Sequence, residues 1–457
     1  MQTTCSGTLA RSKPFHLRAS YHKREREGII AMMKTPNSLL QAAAELEQYY
    51  QKAFPAAAPF AAPCFLSTIE TTVQPLENGR YFVVTGDIPA MWLRDSSVQV
   101  INYIPYATHD ASVQTILRGV IAKQADDICI DAYANAFNAC ANGKGFQDVT
   151  HCNPSVWERK YEVDSLCAPL YLAHRYWKET GDDAIFSSRF QQMLCRIVEV
   201  FLCEQNHDQS PYSFERPNAP QTDTLSCSGR GTPIGYTGMT WSGFRPSDDC
   251  CEYGYLIPAN MMACIAMEKA ADICEHVYDD AKTQNLCLRL SKDIRAGLLK
   301  YGVAEHPSFG MVFVYETDGL GHHVFMDDAN VPSLLSAPYL EFCSTEDPVY
   351  QATRRFVLSC HNPYFYEGCC AQGVGSPHTP QGYVWPIALT MQALTSNSPD
   401  EVFRCLQMLV TTHAGTFQMH ESFDAQRPKV YTRPWFAWAN TLFASLLVKL
   451  MKEKFFE

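Results

Sequence analysis

The chain has 457 residues, of which 46% are hydrophobic and 19% charged, so it can bury a large core. Its formal net charge of −11 argues against a protein that binds nucleic acid or an anionic membrane through a clustered basic surface. No apolar run approaches the roughly 18 to 20 residues that span a bilayer, so we expect no transmembrane helix.

The first segment of the chain, residues 1–33, is basic and polar and lacks the apolar core of a secretory signal. We expect a disordered extension or a misplaced start, because the sequence turns abruptly helix-like at Met32 or Met33. With no sign of an export signal, residues 34–457 are predicted to form a single cytoplasmic domain.

Apolar residues at helical spacing then predict one helix after another. The predicted helices cover residues 37–53, 111–128, 162–179, 183–205, 254–277, 280–301, 381–395, 399–414 and 435–457. Strand-like alternation is confined to short stretches such as 81–85 and 310–315. The pattern indicates an all-α chain with few short strands and too many helices for a four-helix bundle.

Long segments rich in Gly, Pro, Trp, Asp and Arg separate the predicted helices. They are residues 85–97, 148–157, 231–249, 319–330, 360–385 and 419–435. Loops that are long, polar and aromatic usually carry a functional site, although they could merely cover helix ends.

The chain contains 19 cysteines, which we expect to be reduced in a cytosolic protein. The paired CxxC spacing of a zinc site is absent from the sequence, and Cys140, His151 and Cys152 are too loosely placed to form one. We therefore expect neither a structural metal nor another cofactor.

The first loop, TGDIPAMWLRDSS, contains an aromatic face in Trp92 and a charged pair in Arg94 and Asp95. Such groups can contact the C–H face of a sugar ring and its hydroxyls. Alternatively, the two charged residues form a buried architectural ion pair. We expect Asp95 or Ser96 to cap the helix that follows.

A second loop, TGMTWSGFRPSDD, ends in the neighbouring carboxylates Asp248 and Asp249. A carboxyl beside another negative charge and under aromatic cover can have a raised pKa, as a general acid needs. Capping of a following helix by Ser247 or Asp248 is the structural alternative. It does not account for Trp241 and Arg245 in the same loop.

The third candidate is Glu421, in a loop before the last predicted helix. As a general base it could activate a water, with His420 and Arg433 keeping it ionised and oriented. The structural alternative is a salt bridge from Glu421 to Arg433 that anchors the helix.

Other polar residues have simpler explanations. The helix dipole accounts for Glu162 and Asp164 at a helix start. His322, His323 and the Asp327–Asp328 pair could suggest metal ligands, but we favour hydrogen-bonding or scaffold roles for them and for His378.

Together these segments resemble glycoside hydrolase family 125, the bacterial and fungal exo-α-1,6-mannosidases. The motifs TGDIPAMWLRDSS, YEVDSLCAPLYLAHRYW, TGMTWSGFRPSDD, HHVFMDDANVPSLL, GSPHTP and HESFD followed by TRPWFAWANTLF occur in that order. The resemblance implies an (α/α)6 barrel over residues 34–457, with the active site at one end. It also implies metal-independent hydrolysis, with inversion, of mannose-containing oligosaccharides such as α-mannosides or N-glycan fragments.

Carried over to this sequence, the resemblance implies Asp248 as the general acid, with Asp249 in reserve, and Glu421 as the base. The wall of the terminal-mannose subsite would consist of Trp92, Arg94, Asp95, Trp241, Arg245 and His420.

Three alternatives remain open. The chain could be another (α/α)6-barrel glycosidase that acts on α-glucosides or trehalose-like sugars, because aromatic and acidic loops serve many sugars. It could be a carbohydrate-binding protein without catalysis, which the presence of both Asp248 and Glu421 disfavours. It could also be a metal-dependent enzyme, which would lose activity with a chelator.

Overall fold

The structure, a computed structural model, describes residues 33–146, 148–150 and 153–457. Apart from Met33, the expected N-terminal extension lies outside these residues. Residues Thr35–Glu457 form one compact unit that is rich in helices. The longer α-helices are α1 (Asn37–Ala53), α2 (Ala58–Thr71), α3 (Leu93–Val100), α4 (Ala111–Ile130), α5 (Val163–Thr180), α6 (Ser188–Glu204), α7 (Ile257–Ile273), α8 (Ala281–Tyr301), α9 (Pro348–Val357), α10 (Pro386–Leu394), α11 (Pro399–Thr411) and α12 (Ala437–Lys452).

Capping side chains set several helix starts. Asp110 accepts hydrogen bonds from the first turn of α4, Ser187 from α6 and Asp280 from α8. The predicted helix 183–205 therefore begins only at Ser188, after its cap. At the other end of α5, Gly181 adopts the left-handed backbone (φ 69°) that commonly ends a helix.

Apolar periodicity did not predict three of the helices named above. In α2 nine of the 14 residues are buried, Pro63 lies inside the helix and Glu70 is the only charged residue, so the chain shows little polar face there. The short helix α3 begins at Leu93, two residues before the expected cap at Asp95, and the hydroxyl of Ser96 donates instead to the Leu93 carbonyl. The third, α9, follows the capping residue Asp347.

The helices pack in two layers. In one, α3 packs on α5, α5 on α7, α10 on α12, and α12 on α3. Helices α5, α7 and α12 consist mainly of buried residues, as expected for helices covered on several sides. In the other layer, α4 packs on α6, while α8 covers α7 and α11 covers α10.

Short antiparallel strands lie within the loops between the helices. They are β1 (Val73–Pro75), β2 (Tyr81–Val83), β3 (Met91–Trp92), β4 (Ala136–Phe137), β5 (Val156–Glu158), β6 (Tyr255–Leu256), β7 (Val303–His306), β8 (Gly310–Phe313), β9 (Glu316–Thr317), β10 (His323–Val324), β11 (Phe365–Glu367), β12 (Gln372–Val374), β13 (Tyr383–Val384), β14 (Ser422–Asp424) and β15 (Tyr431–Thr432). The two predicted strand stretches contain β2 and β8. Strands β3, β6 and β13 lead into α3, α7 and α10, so the three small sheets that contain them lie at the amino ends of these helices.

Among the described residues, no helix combines the length and the apolar character required to cross a bilayer.

Candidate active site

A cavity lies where the loops before α3, α7, α10 and α12 meet. It contains about 410 Å³ of non-protein space, part of it open solvent. Its lining consists of Thr85, Ile88, Trp92, Arg94, Asp95, Pro246, Ser247, Asp248, Asn330, His378, Trp385, Glu421, Arg433, Phe436 and Trp438. The expected acid Asp248 and the expected base Glu421 thus face the same cavity.

The backbone at Asp248 is held in an unusual conformation. Its φ of 70° lies in the left-handed region, which costs a residue with a side chain on the order of 1–3 kcal/mol. Its N–H donates to the carbonyl of Arg245 (2.9 Å), and its own carbonyl accepts from Lys160 Nζ (2.7 Å). No helix begins at this triplet, so the expected capping role for Ser247 or Asp248 is wrong.

Arg94 anchors the loop that carries Asp248. Its Nη1 contacts both Glu162 Oε2 and Asp164 Oδ2 at 2.7 Å, and its Nη2 donates to the Pro246 carbonyl at 2.8 Å. Asp95 is farther away, at 3.8 Å. The helix dipole therefore does not suffice to explain Glu162 and Asp164, because both are buried partners of Arg94.

The electrostatics of Asp248 differ from the sequence expectation. Burial alone would raise its pKa, but Lys160, His378 and Arg94 outweigh burial and hold the pKa of Asp248 below its usual value. For the neighbouring Glu162, burial raises the pKa well above its usual value, and Arg94 only partly offsets this effect. The expected raised pKa is therefore found on Glu162 and not on Asp248.

Asp249 points away from the cavity lining and supports His378. Its Oδ1 lies 3.2 Å from His378 Nδ1. Burial lowers the pKa of His378, but Asp249, Asp248 and Glu421 overcome this effect and raise it to about 9. At neutral pH a cation therefore faces both expected catalytic carboxylates.

Glu421 precedes the central strand β14 of the sheet β13–β14–β15 and is buried. Arg433 Nη1 lies 3.4 Å from its Oε1, while two other guanidinium nitrogens of Arg433 contact Asp87. Arg433 itself has a left-handed backbone (φ 37°). The expected ion pair of Glu421 with Arg433 is present, and it lies on the cavity wall.

Aromatic rings supply the rest of the lining. Trp92 belongs to a buried cluster with Ala90 and Ala136, against which Ile88 packs. Trp438 lies beneath the Arg94 guanidinium, 5.6 Å from the ring centroid. Such rings can pack against the apolar face of a pyranose.

Three residues expected in the subsite wall do not line the cavity. Trp241 is 1% exposed and stacks on His207, with ring centroids 3.5 Å apart. Arg245 forms an ion pair with Glu316 (2.5 Å). His420 stacks on Tyr431, and burial lowers its pKa to about 4, so a neutral His420 cannot help to keep Glu421 ionised.

Comparison with known proteins decides the family. The model of the metal-independent α-mannosidases, family GH125, matches residues 55–448. The chain belongs to this family. A curated relative, the meiotically up-regulated gene 157 protein of Schizosaccharomyces pombe (strain 972), is 39% identical over 416 residues, which cover 86% of this chain and 81% of the relative.

Solved structures agree with this assignment to the GH125 family. A Streptococcus pneumoniae structure, described as a metal-independent α-mannosidase in a non-productive substrate complex with α-1,6-mannobiose, is 43% identical. The match covers 92% of this chain and 100% of that one, with a TM-score of 0.90. The glucoamylase of Saccharomycopsis fibuligera, at 10% identity, shares only the fold, with a TM-score of 0.54 over 93% of this chain and 97% of that one.

In this α-mannosidase the motif HHVFMDD serves as scaffold. Asp328 Oδ2 accepts from the hydroxyls of Ser247 and Ser376, and so joins the loop of Asp248 to the loop of His378. His322 pairs with Asp318. Within residues 33–146, 148–150 and 153–457, no group of three or more His, Cys, Asp or Glu side chains is arranged to hold a metal ion.

Sequence reasoning missed two polar lining residues of the GH125 site. His378 was expected only as scaffold or hydrogen-bonding partner, and Asn330 was not singled out. The signal for His378 was its place in GSPHTP, between loops already suspected. For Asn330 no signal beyond loop membership was available.

Proposed function

We propose that this α-mannosidase releases terminal mannose from α-1,6-linked mannosides by hydrolysis with inversion. The observation that carries the proposal is the convergence of Asp248 and Glu421 on one small cavity. A pair of carboxyl groups across a sugar-sized pit is what an inverting glycosidase requires. The α-1,6 linkage is supported by the mannobiose bound in the 43% identical relative.

Each carboxylate has a distinct role in this reaction. Glu421 acts as the general base that removes a proton from the attacking water, and Arg433 keeps it oriented. Asp248 acts as the general acid that protonates the leaving glycosidic oxygen. Asp249 is a less suitable acid, because it lies outside the lining and pairs with His378.

The remaining lining binds the terminal sugar. Trp92 and Asp95 face the cavity, where they can contact the ring and its hydroxyls, and Arg94 fixes the floor behind them. We assign Trp241, Arg245 and His420 to the support of this wall from behind. The limited space of the cavity favours exo action on one terminal residue.

We also propose that residues 34–457 form a single catalytic domain with an (α/α)6 barrel. The two helix layers and the amino-end position of the site support this arrangement. The fold shared with the glucoamylase is a second argument for it.

Proton NMR of α-1,6-mannobiose hydrolysis tests the activity, linkage and stereochemistry together. We expect β-mannose as the first-formed anomer, which then mutarotates. Initial α-mannose would rule out inversion. Absence of hydrolysis, with cleavage of another α-linked mannobiose, would overturn the linkage. A panel of α-glucosides serves as the control for the sugar.

A further inference from the structure

We propose that Glu162 is a positioning residue that shares one proton with Asp248 and supplies it when Asp248 protonates the leaving group. The proposal rests on the function proposed above, in which Asp248 is the acid. Glu162 is 1% exposed and does not line the cavity, so it can act only through a neighbour that does.

The carboxyl groups of Glu162 and Asp248 both contact the side-chain amide of Asn135. Asn135 Nδ2 is 3.2 Å from Glu162 Oε1 and 3.4 Å from Asp248 Oδ1. The second oxygen of Glu162 accepts from Ser165 Oγ (2.6 Å) and Arg94 Nη1 (2.7 Å). Glu162 thus has one oxygen on the amide that also contacts Asp248 and the other on Ser165 and Arg94, and its side chain is hydrogen-bonded to Asp248.

The charges around Glu162 and Asp164 favour one protonated carboxyl group. Arg94 Nη1 already serves two buried carboxylates, Glu162 and Asp164. Asp248, which lines the cavity, adds a third negative charge beside this buried pair. Burial raises the pKa of Glu162 and of Asp164, and the one guanidinium that both contact only partly offsets this effect, so the group retains a proton.

Other charged groups bias where that proton lies. Lys160 Nζ contacts the Asp248 carbonyl and His378 faces its side chain, and both favour ionised Asp248. The proton is then more stable on Glu162 at rest. The charged groups that face the pair are Arg94 and Asp95 on α3, Glu158 on β5, Lys160 after it, Asp164 on α5, and His378.

The proton moves from Glu162 to the leaving group in two coupled steps. The O–H bond of Glu162 breaks as an O–H bond forms on Asp248. Asp248 then gives its proton to the glycosidic oxygen as the bond to the anomeric carbon breaks and that oxygen keeps the bonding electrons. The proton that Glu421 takes from the attacking water is released to solvent, and the pair regains one proton from solvent after the product leaves.

Glu162→Gln tests the proposal, because glutamine keeps the shape and hydrogen bonds of the side chain but has no acidic proton. We expect kcat/KM at pH 7 to fall by about a hundredfold or more for α-1,6-mannobiose, whose leaving group must be protonated. For 2,4-dinitrophenyl α-mannoside, which needs no such proton, we expect a fall below about threefold.

Asp164→Asn is the matched control. Asp164 binds the same Arg94 nitrogen at the same 2.7 Å, so this variant makes the same carboxyl-to-amide change beside Arg94 without touching the bridge through Asn135. An equal loss on both substrates in Glu162→Gln, or the same substrate-dependent loss in Asp164→Asn, would overturn the proposal.

The Asp248→Ala variant separates this result from the proposed function. If Asp248→Ala hydrolyses mannobiose as wild type does, Asp248 is not the acid and the proposed function fails. If Asp248→Ala loses activity on mannobiose, but Glu162→Gln loses no more activity on mannobiose than on the dinitrophenyl mannoside, Asp248 remains the acid and the sharing of a proton is refuted.

Should Glu162→Gln fail to fold, Ser165→Ala provides the test. It removes a donor that favours ionised Glu162, so we expect the alkaline limb of the mannobiose kcat/KM profile to move up by about one pH unit. An unmoved limb would overturn the proposal.

Discussion

Arg94→Met should destabilise the protein, because it leaves the buried Asp164 without its cation and the buried Glu162 without a hydrogen-bond donor. Arg94 makes three short charge-assisted hydrogen bonds, two to these carboxylates and one to the Pro246 carbonyl. Removal of one partner of a buried ion pair costs about 3–5 kcal/mol. We therefore expect a loss of about 4 kcal/mol in the free energy of unfolding.

The assay is thermal and urea unfolding of the full chain at pH 7. A chain of 457 residues has an unfolding entropy of about 1 kcal/mol/K, so the expected loss corresponds to a midpoint lower by about 4 °C. The deficit should shrink as the pH falls. Without the cation, the pKa values of both carboxyls rise further above their unfolded values, and protonation at low pH removes the uncompensated charges.

The variant Arg94→Met with Glu162→Gln and Asp164→Asn is the control for this explanation. Neutral amides need no cation, so at least half of the lost stability should return. A loss below about 1 kcal/mol in Arg94→Met, or no recovery in the triple variant, would refute the account of Arg94 as the compensating cation.

Three further predictions concern the site. Glu421→Gln should lower kcat for mannobiose by about 10²–10⁴-fold while the folded state persists in circular dichroism, and unchanged turnover would remove the base. In nitrogen-15 NMR spectra the ring of His378 should titrate near pH 9 and move to lower pH in Asp249→Asn, whereas a midpoint near 6.5 in wild type contradicts its contact with the carboxylates. Dialysis against a chelator should leave kcat/KM within about twofold, and activity restored only by added metal contradicts this expectation.

Amphipathic periodicity predicted most of the helices, and its failures have a physical reason. The predicted helix 37–53 has the same bounds as the observed α1. One face of α1 is exposed, so its apolar residues recur at helical spacing and the periodicity is visible in the sequence. In contrast, α2 has nine of its 14 residues buried and only one charged residue, and α3 is only eight residues long, so neither shows a polar stripe over several turns. Periodicity detects a polar face that recurs over several turns, and these helices lack one.

The sequence identified the loops of the site better than the direction of each side chain. Asp248 and Glu421 face one cavity as expected, although they are far apart in the sequence. Trp241 and Arg245 belong to the same loop as Asp248, yet their side chains turn into the core toward His207 and Glu316. Composition reveals which loop carries chemistry, whereas side-chain direction depends on partners distant in the chain.

Asp95 interacts with both halves of the site, and its replacement should change the acid. Burial raises the pKa of Asp95, Arg94 and Arg433 oppose this effect, and Asp248 adds to it. Asp95 and Asp248 therefore repel each other when both are ionised. Asp95→Asn removes this negative charge, so the pKa of the acid should fall.

The pH profile of kcat/KM on mannobiose measures this coupling. We expect the alkaline limb, set by the acid, to shift toward lower pH in Asp95→Asn. Because the groups interact, this limb reports a macroscopic pKa of the whole cluster and not of a single residue. An alkaline limb that stays in place, or that shifts toward higher pH, would contradict the role of Asp95 as a negative charge that acts on Asp248.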